Sequence, residues 1–597
     1  MKEKTLPRSR VDDCGGVPTL FVNGAPFPAA AYMTYLTENN DYAAFAGAGY
    51  RLFSVPMLCA GRWINAAADL KPFHGGIFDR EDAPDYTHVD DAVDRILSVC
   101  PDAYIFPRLN LSMPLWWIEK HPGCTDGTGK RELLFTKEYR ETAADMLRAV
   151  IRHVEGGDYA DRIVGYQLTG GNTEEWFHFD LNGGLCANAE GLFSAWLAEN
   201  DPAVVFSGLP NLALLKGESA RHRDALLEKY LEFASRAVSD TVRFLCAEAK
   251  KATGGRLAVG TFYGYSLEVA SPLWGTHALQ TLLNGEEVDF ICSPNSYIGT
   301  RDPAADWTEM YPAASVRLHG KLCMQECDVR THLTRPLARS SPVYADVQGY
   351  DAPIWQPLKD RDTAAAMLRK TFARQLIAGN GFWWFDMWGG WYRDPVLMEE
   401  LKRMRALCAD ALAQPDRASV AQVAAFVDES AYAHLTEGPL CGAAYHLRTP
   451  LRAMGAPYDL YDLSDFDAVY KRYRAIVFLS PAPTAFARRA REICEAEHIP
   501  FLAVSEEKTR FSAGELRAFC RVTGVHVFCE TDDLIYVNAR YLAVYATSAG
   551  EKTVILDGVY RYRELMTEDG LRGASDTLRF PMKKYETKLF ELFHNRG

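Results

Sequence analysis

The feature that most constrains this chain is an alternation that repeats eight times. Short β-rich runs occur at Ala30–Leu36, Arg51–Val55, Tyr104–Leu109, Ile163–Leu168, Leu257–Phe262, Val288–Cys292, Lys321–Gln325 and Gly381–Phe385, with stretches of helical period between them. Phe135–Val154 is the clearest of these stretches. Tyr139, Ala143, Met146, Leu147, Val150, Ile151 and Val154 share one face of it. His222–Thr253 is longer and runs into Gly254-Gly255, a favoured helix stop, and Thr363–Gly379 is another. Eight β/α units predict a closed (β/α)8 TIM barrel with long loops, the alternative being an open doubly wound sheet. Ahead of the units, Gly15–Pro28 predicts a small hairpin around Asn23-Gly24.

A chain of 597 residues is too long for one core, so further domains are expected. The pattern changes near Ser419. VAQVAAFVD reads as a buried parallel strand, followed by strands at Tyr458–Leu463, Ala475–Leu479 and Phe501–Val504. Helical Cys441–Met454, Thr484–Glu497 and Ala513–Val522 alternate with them, as in a flavodoxin-like α/β domain. From about Thr531 the runs LIYVNA, YLAVYATS, EKTVIL and TKLFEL predict a small all-β domain. The expected division is 1–415 for the barrel with its hairpin, 416–530 for the α/β domain and 531–597 for the β domain.

Several function classes are disfavoured. Net charge is −13, and a field of that sign repels phosphate backbones, so no nucleic-acid partner is expected. The longest apolar stretches, such as Val420–Val427, are far too short to span a bilayer, so no membrane partner is expected either. The opening MKEKTLPRSRVDDCGG lacks the apolar core of a secretion signal, which suggests a cytoplasmic protein. The 14 cysteines are scattered singly, without CxxC or zinc spacing, so reduced thiols and no metal are expected. No GxGxxG is present in the α/β region, so no nucleotide cofactor is expected there, and none is expected elsewhere.

The chemistry of a TIM barrel lies at the C-terminal ends of its strands. There the third run supplies Arg108, Asn110 and Trp116-Trp117, and the sixth supplies Asn295 and Tyr297. The fourth leads into TGGNTEEWFHFD, with Asn172, Glu174, Glu175, Trp176 and His178. The seventh ends at Glu326, and the eighth leads into Asp386, Trp388 and Trp391. Strands four and seven face each other across an eight-stranded barrel. A pair of carboxyls flanking one bond is what glycoside hydrolysis requires. Flat indole rings stack on the C–H faces of sugars, and Trp116, Trp117, Trp176, Trp383, Trp384, Trp388 and Trp391 make seven of the 12 tryptophans gather at these strand ends.

These motifs, and the order barrel, flavodoxin-like domain, small β domain, resemble the clan of TIM-barrel retaining glycosidases. Within it the sequence resembles the glycoside hydrolase family 42 β-galactosidases and related β-galactosidase and β-mannosidase families. The resemblance implies an acid/base Glu after strand four and a nucleophilic Glu after strand seven, which is Glu326. The family's fourth strand runs into Asn-Glu. Here the order is Asn172-Thr173-Glu174-Glu175-Trp176, so Glu175 is the first candidate for the acid/base and Glu174 the second. The family's zinc-type cysteine cluster is not evident. The resemblance further implies that Tyr297 hydrogen-bonds Glu326 and that the second domain mediates a homotrimer. Asn172 is a candidate contact to a sugar hydroxyl near the reacting carbon. Trp384 is a candidate floor of the subsite, Trp176 and Trp388 are candidate stacking rings, and Arg108, His178 and Asp386 are candidate hydroxyl readers. The expected activity is exo-acting, retaining β-glycoside hydrolysis without a cofactor, β-galactosidase-like, with a β-mannosidase as alternative. The rival from another class is a non-catalytic carbohydrate-binding barrel. A lyase or phosphorylase would need a basic uronate or phosphate site, for which Arg108 alone speaks.

Overall fold

The computed structural model describes residues 5–61, 75–125, 132–171, 174–177, 187–210, 224–269, 274–340, 355–434, 442–480, 484–505, 507–567 and 570–594. Eight parallel strands close into a barrel: β1 (Ala30–Met33), β2 (Leu52–Leu58), β3 (Tyr104–Asn110), β4 (Gly165–Thr169), β5 (Ala258–Phe262), β6 (Phe290–Pro294), β7 (Leu322–Cys327) and β8 (Gly381–Phe385). Each pairs with its neighbours in chain order, and β8 closes on β1 through Phe382 to Ala30 and Phe385 to Met33. Every expected strand is present, displaced by at most a few residues at its ends. The displacement matters at β7, which runs two residues further than expected, so Glu326 lies on the strand itself opposite Trp383 of β8.

The barrel's interior is aromatic, and two glycines make room for it. A Cβ on Gly165 would lie 2.8 Å from the Phe106 ring, and one on Gly260 would lie 2.3 Å from Phe290. These two rings pack against each other at 5.1 Å between centroids. The long helices found at Lys137–Gly156, Ala225–Ala252 and Arg361–Ala378 are close to those read from the sequence, and each is started by a side-chain cap: Thr136, Asp224 and Asp360. At the N-terminal end of the barrel a three-stranded sheet (Ser9–Asp13, Pro18–Val22, Ala25–Pro26) turns at Asn23 and Gly24, both at positive φ as a tight hairpin demands. Ser9 fastens it: its hydroxyl donates to the Val164 carbonyl at 2.6 Å and accepts from the Ala258 amide at 2.8 Å, tying the sheet to β4 and β5.

After the barrel come four parallel strands, β9 (Val423–Val427), β10 (Tyr458–Asp462), β11 (Ala475–Phe478) and β12 (Phe501–Ala503), in the order β10-β9-β11-β12. That order reverses next to β9, as in a flavodoxin-like sheet. The chain ends in a five-stranded antiparallel sheet of β13 (Leu534–Val537), β14 (Tyr541–Tyr545), β15 (Gly550–Glu564), β16 (Arg572–Met582) and β17 (Thr587–His594), in the order β13-β14-β17-β15-β16. The three units meet at Asp306, which is fully buried. It accepts from Tyr536 of β13 at 2.8 Å and lies 3.2 Å from Arg452 of the α/β unit and 3.4 Å from Arg374 of the barrel. Among the described residues, no helix is long and apolar enough to cross a membrane.

Candidate active site

Glu326 is inward-facing because alternation along β7 sends Gln325 the other way, where its amide donates to Ser293 and to Tyr311. One partner dominates Glu326: Nη1 of Arg108, on β3, lies 2.8 Å from Oε2. The other terminal nitrogen of the same guanidinium, Nη2, lies 2.8 Å from Oε2 of Glu174. One arginine therefore bridges the end of β7 and the segment after β4. Since both nitrogens belong to one planar group, the bound oxygens of Glu174 and Glu326 are within roughly 8 Å of each other. The bridge is dry, with Arg108 1% and Glu174 0% exposed. Tyr35, Phe262 and Phe385 surround the Arg108 guanidinium, with ring centroids 5.5, 5.0 and 5.7 Å from it. Burial pushes the Glu326 carboxyl well above its ordinary range. Arg108 opposes that shift, while the charges of Asp328 and Glu174 add to it.

The segment carrying the other two carboxylates is held in an unusual conformation. Glu174 and Trp176 both have left-handed backbone, at φ 70° and 61°. Side chains adopt that region at a cost, and such strain concentrates at functional sites. Trp176 supplies the seat. Its indole N–H donates to Thr261 of β5 at 2.9 Å, its backbone amide donates to the Gly170 carbonyl at 2.7 Å, and its ring lies against Gly170. Glu174 accepts from the Tyr35 hydroxyl and, at 3.4 Å, from the Asn110 amide. Glu175 accepts from the Tyr265 hydroxyl at 2.7 Å. Tyr265 is itself at φ 73°. Its phenol is pushed well above its ordinary value by burial, with the charges of Glu175, Tyr297 and Glu326 adding to the shift.

A Cβ at Gly170 would lie 2.5 Å from the Trp176 ring. Gly170→Ala is therefore expected to displace that ring and the two glutamates behind it. An overpacking cost of about 1–3 kcal/mol is expected in urea unfolding. A large fall in activity is expected with it; a variant with normal turnover would show that the seat does not position the carboxylates.

Several expected roles are corrected by the geometry. Trp384 does not face the barrel lumen. Its indole N–H donates to the Tyr50 hydroxyl at 2.8 Å and its ring packs beneath the outer shell on Phe382 and Tyr392. Trp383 points inward instead, 6.4 Å from Phe262. Asp386 is not available to read hydroxyls. It accepts from the Tyr32 hydroxyl (2.8 Å) and from the Gly390 and Trp391 amides (both 2.9 Å), and so closes the turn after β8. Tyr297 meets Asp328 at 3.5 Å rather than Glu326. Arg108 is a clamp on carboxylates, and Trp176 is a fully buried wedge. Trp388 packs against Tyr35 at 6.1 Å and is almost wholly covered. Six of the seven tryptophans thought to crowd the mouth are among the fully buried side chains, so they build the scaffold rather than an open sugar-stacking face. Asn172 and His178 lie outside the described residues.

Tyr35 and Tyr265 also belong to the site: both follow barrel strands (β1 and β5), where strand ends carry the chemistry, and no motif marks them. Asp328, two residues beyond Glu326, is a further such residue. Asp328 is fully buried, ion-paired to Arg301 and, at 2.6 Å, to Arg330, whose guanidinium stacks on Trp355 and Trp391 at 4.3 and 5.1 Å. Among the described residues, no group of three or more His, Cys, Asp or Glu is arranged to hold a metal ion.

No protein-family profile matches the sequence, and no curated protein matches it. Solved structures do. A β-galactosidase from Bacillus circulans sp. alkalophilus superposes with a TM-score of 0.64 at 15% identity, over 94% of this chain and 98% of that one. A β-galactosidase from the psychrophilic Marinomonas ef1 gives 0.61 at 11%, over 94% and 99%. The exo-carrageenase of glycoside hydrolase family 42 from Bacteroides ovatus gives 0.59 at 13%, over 99% and 86%. At these identities the likeness is one of fold, and it extends over nearly the whole of this chain.

Proposed function

We propose that the chain is a retaining, exo-acting β-glycoside hydrolase, β-galactosidase-like, with Glu326 as nucleophile and Glu175 as acid/base. The observation that carries this reading is the single Arg108 guanidinium that joins Glu326, on β7, to the Glu174-Glu175 segment after β4 inside a closed barrel. The likeness of fold to solved β-galactosidases supports it. Glu175, which directly precedes Trp176, is taken as the acid/base in this reading. Glu174 is held from several sides by Arg108, Tyr35 and Asn110, which suits a group that positions the segment. In the proposed reaction Glu326 attacks the anomeric carbon while Glu175 protonates the leaving oxygen. Glu175 then removes a proton from water, which releases the sugar with its original configuration. The residues from 416 to 530 and from 531 to 597 form separate domains in this reading, the former assembling a homotrimer.

A panel of nitrophenyl β-glycosides tests it. Release of nitrophenol from the galactoside above the mannoside, glucoside, fucoside and glucuronide is the expected result. Preference for the mannoside would move the enzyme to the related β-mannosidase reading, and no release from any of them would leave a carbohydrate-binding barrel. The nucleophile must be ionised, and burial raises Glu326 to about 7. The acidic limb of kcat/KM, which reports the free enzyme, is therefore expected near that pH, with activity falling as Glu326 is protonated below it. A limb near the ordinary glutamate value of about 4.3 would contradict the assignment.

A further inference from the structure

A cavity of about 260 Å³ lies far from the carboxylates, where the barrel meets both later units. Its barrel wall is built from Arg317 and Leu318, at the end of the helix leading into β7, and from Arg374, Ile377 and Ala378, at the end of the helix leading into β8. Helix ends that feed strands lie toward the N-terminal end of a β/α barrel, opposite the end bearing Glu326. Five arginines line the cavity: Arg317, Arg374, Arg417, Arg452 and Arg472. Glu309 and Asp459 are the carboxylates on its wall, and Asp306, behind the wall, pairs with Arg374 and Arg452, so the arginines still outnumber the carboxylates by five to three. The cationic excess stands out in a chain of net charge −13.

The two carboxylates on the wall are already engaged. Glu309 accepts from Arg374 and from Asn380, and Arg317 lies 3.6 Å from it. Although burial works against its charge, these arginines hold Glu309 down to about 2. Asp459 accepts from the Tyr473 hydroxyl at 2.8 Å and from Ser419 at 3.0 Å. Arg374 is 4% exposed, and its Nη1 has no hydrogen-bond partner; nor has Nε of Arg417, which is 5% exposed. Buried guanidinium N–H groups without acceptors are costly and call for an anion. Arg472 is exposed, so the cavity reaches solvent there.

We infer that this cavity is a binding site for a small, multiply charged anion of the phosphate-ester or pyrophosphate kind, separate from the catalytic centre and linking the three units. Its volume lies just below the range of drug-sized pockets, which fits a compact anion. The inference stands whether or not the barrel hydrolyses glycosides. Inorganic pyrophosphate is the probe, titrated by calorimetry into the intact protein at constant ionic strength, with inorganic phosphate in a second arm. One saturable site per chain, together with a rise in unfolding temperature, is the expected result, and pyrophosphate should bind more tightly than phosphate. Arg472→Glu reverses a charge at the exposed rim and leaves the buried ion pairs alone; Arg317→Gln removes one from the wall. Each is expected to weaken pyrophosphate at least tenfold. Absence of saturable binding, or binding of unchanged affinity in both folded variants, overturns the proposal.

Discussion

Glu326→Ala is expected to lose turnover by roughly 10⁴-fold or more, the scale on which removing a covalent nucleophile acts. Folding should survive, because alanine relieves a buried carboxylate of an environment that already raises its pKa. Azide should then restore product formation by attacking the anomeric carbon from the face that Glu326 has vacated, which gives the α-glycosyl azide from a β-glycoside. The Glu175→Ala variant should behave in the opposite sense. Its glycosyl-enzyme still forms from substrates with good leaving groups, and azide takes the place of water on the other face, so the azide product keeps the β configuration. Glu174→Ala separates the adjacent carboxylates. Tied to Arg108 and Tyr35, Glu174 is expected to lower activity through displacement of that clamp, with no rescue by azide. The configuration of the azide products, read by NMR, decides among the three. Undiminished activity of Glu326→Ala or Glu175→Ala removes that residue from the mechanism, and a β-azide from Glu174→Ala exchanges the roles of the two neighbours.

The barrel was legible because its strands are short apolar runs spaced by helical periods, and periodicity survives even where strand ends shift by a few residues. Glu326 was legible for a similar reason, as a carboxylate closing an apolar run. The facing of Trp383 and Trp384 was not. A strand covered on both sides carries no polar alternation, so GFWWF does not say which indole meets the lumen. Tyr50, which takes the Trp384 indole proton, is 334 residues away in the chain. The choice between Glu174 and Glu175 was hidden as well, since the segment follows no regular period and its left-handed residues turn consecutive side chains to unrelated directions. The Arg301–Asp328–Arg330 cluster joins loops after β6 and β7. Only closure of the barrel brings them together, and no local spacing announces it.

Arg108→Met is expected to have the second large effect, and it acts on pH dependence and stability together. The guanidinium is the countercharge shared by Glu174 and Glu326 in a dry site, and removing one partner of such a bridge typically costs about 3–5 kcal/mol, because a charge is left buried and unpaired. Of the influences on Glu326, burial raises its pKa and Arg108 lowers it. Without the arginine the carboxyl must climb further, and the acidic limb of kcat/KM moves to higher pH than in the unaltered enzyme. The sign of the stability effect follows from linkage. A carboxyl whose folded pKa lies above its unfolded value contributes stability that is fully present below the unfolded value, about 4.3 for Glu, and is lost as pH rises through the folded one. The destabilisation measured by urea unfolding should therefore be smallest near pH 4 and grow toward alkaline pH. Arg108→Lys restores a single charge that cannot span both carboxylates at once, so it should recover part of the stability while leaving the limb displaced. A methionine variant that keeps the original acidic limb would show that Arg108 positions the loop after β4 without setting the charge of Glu326.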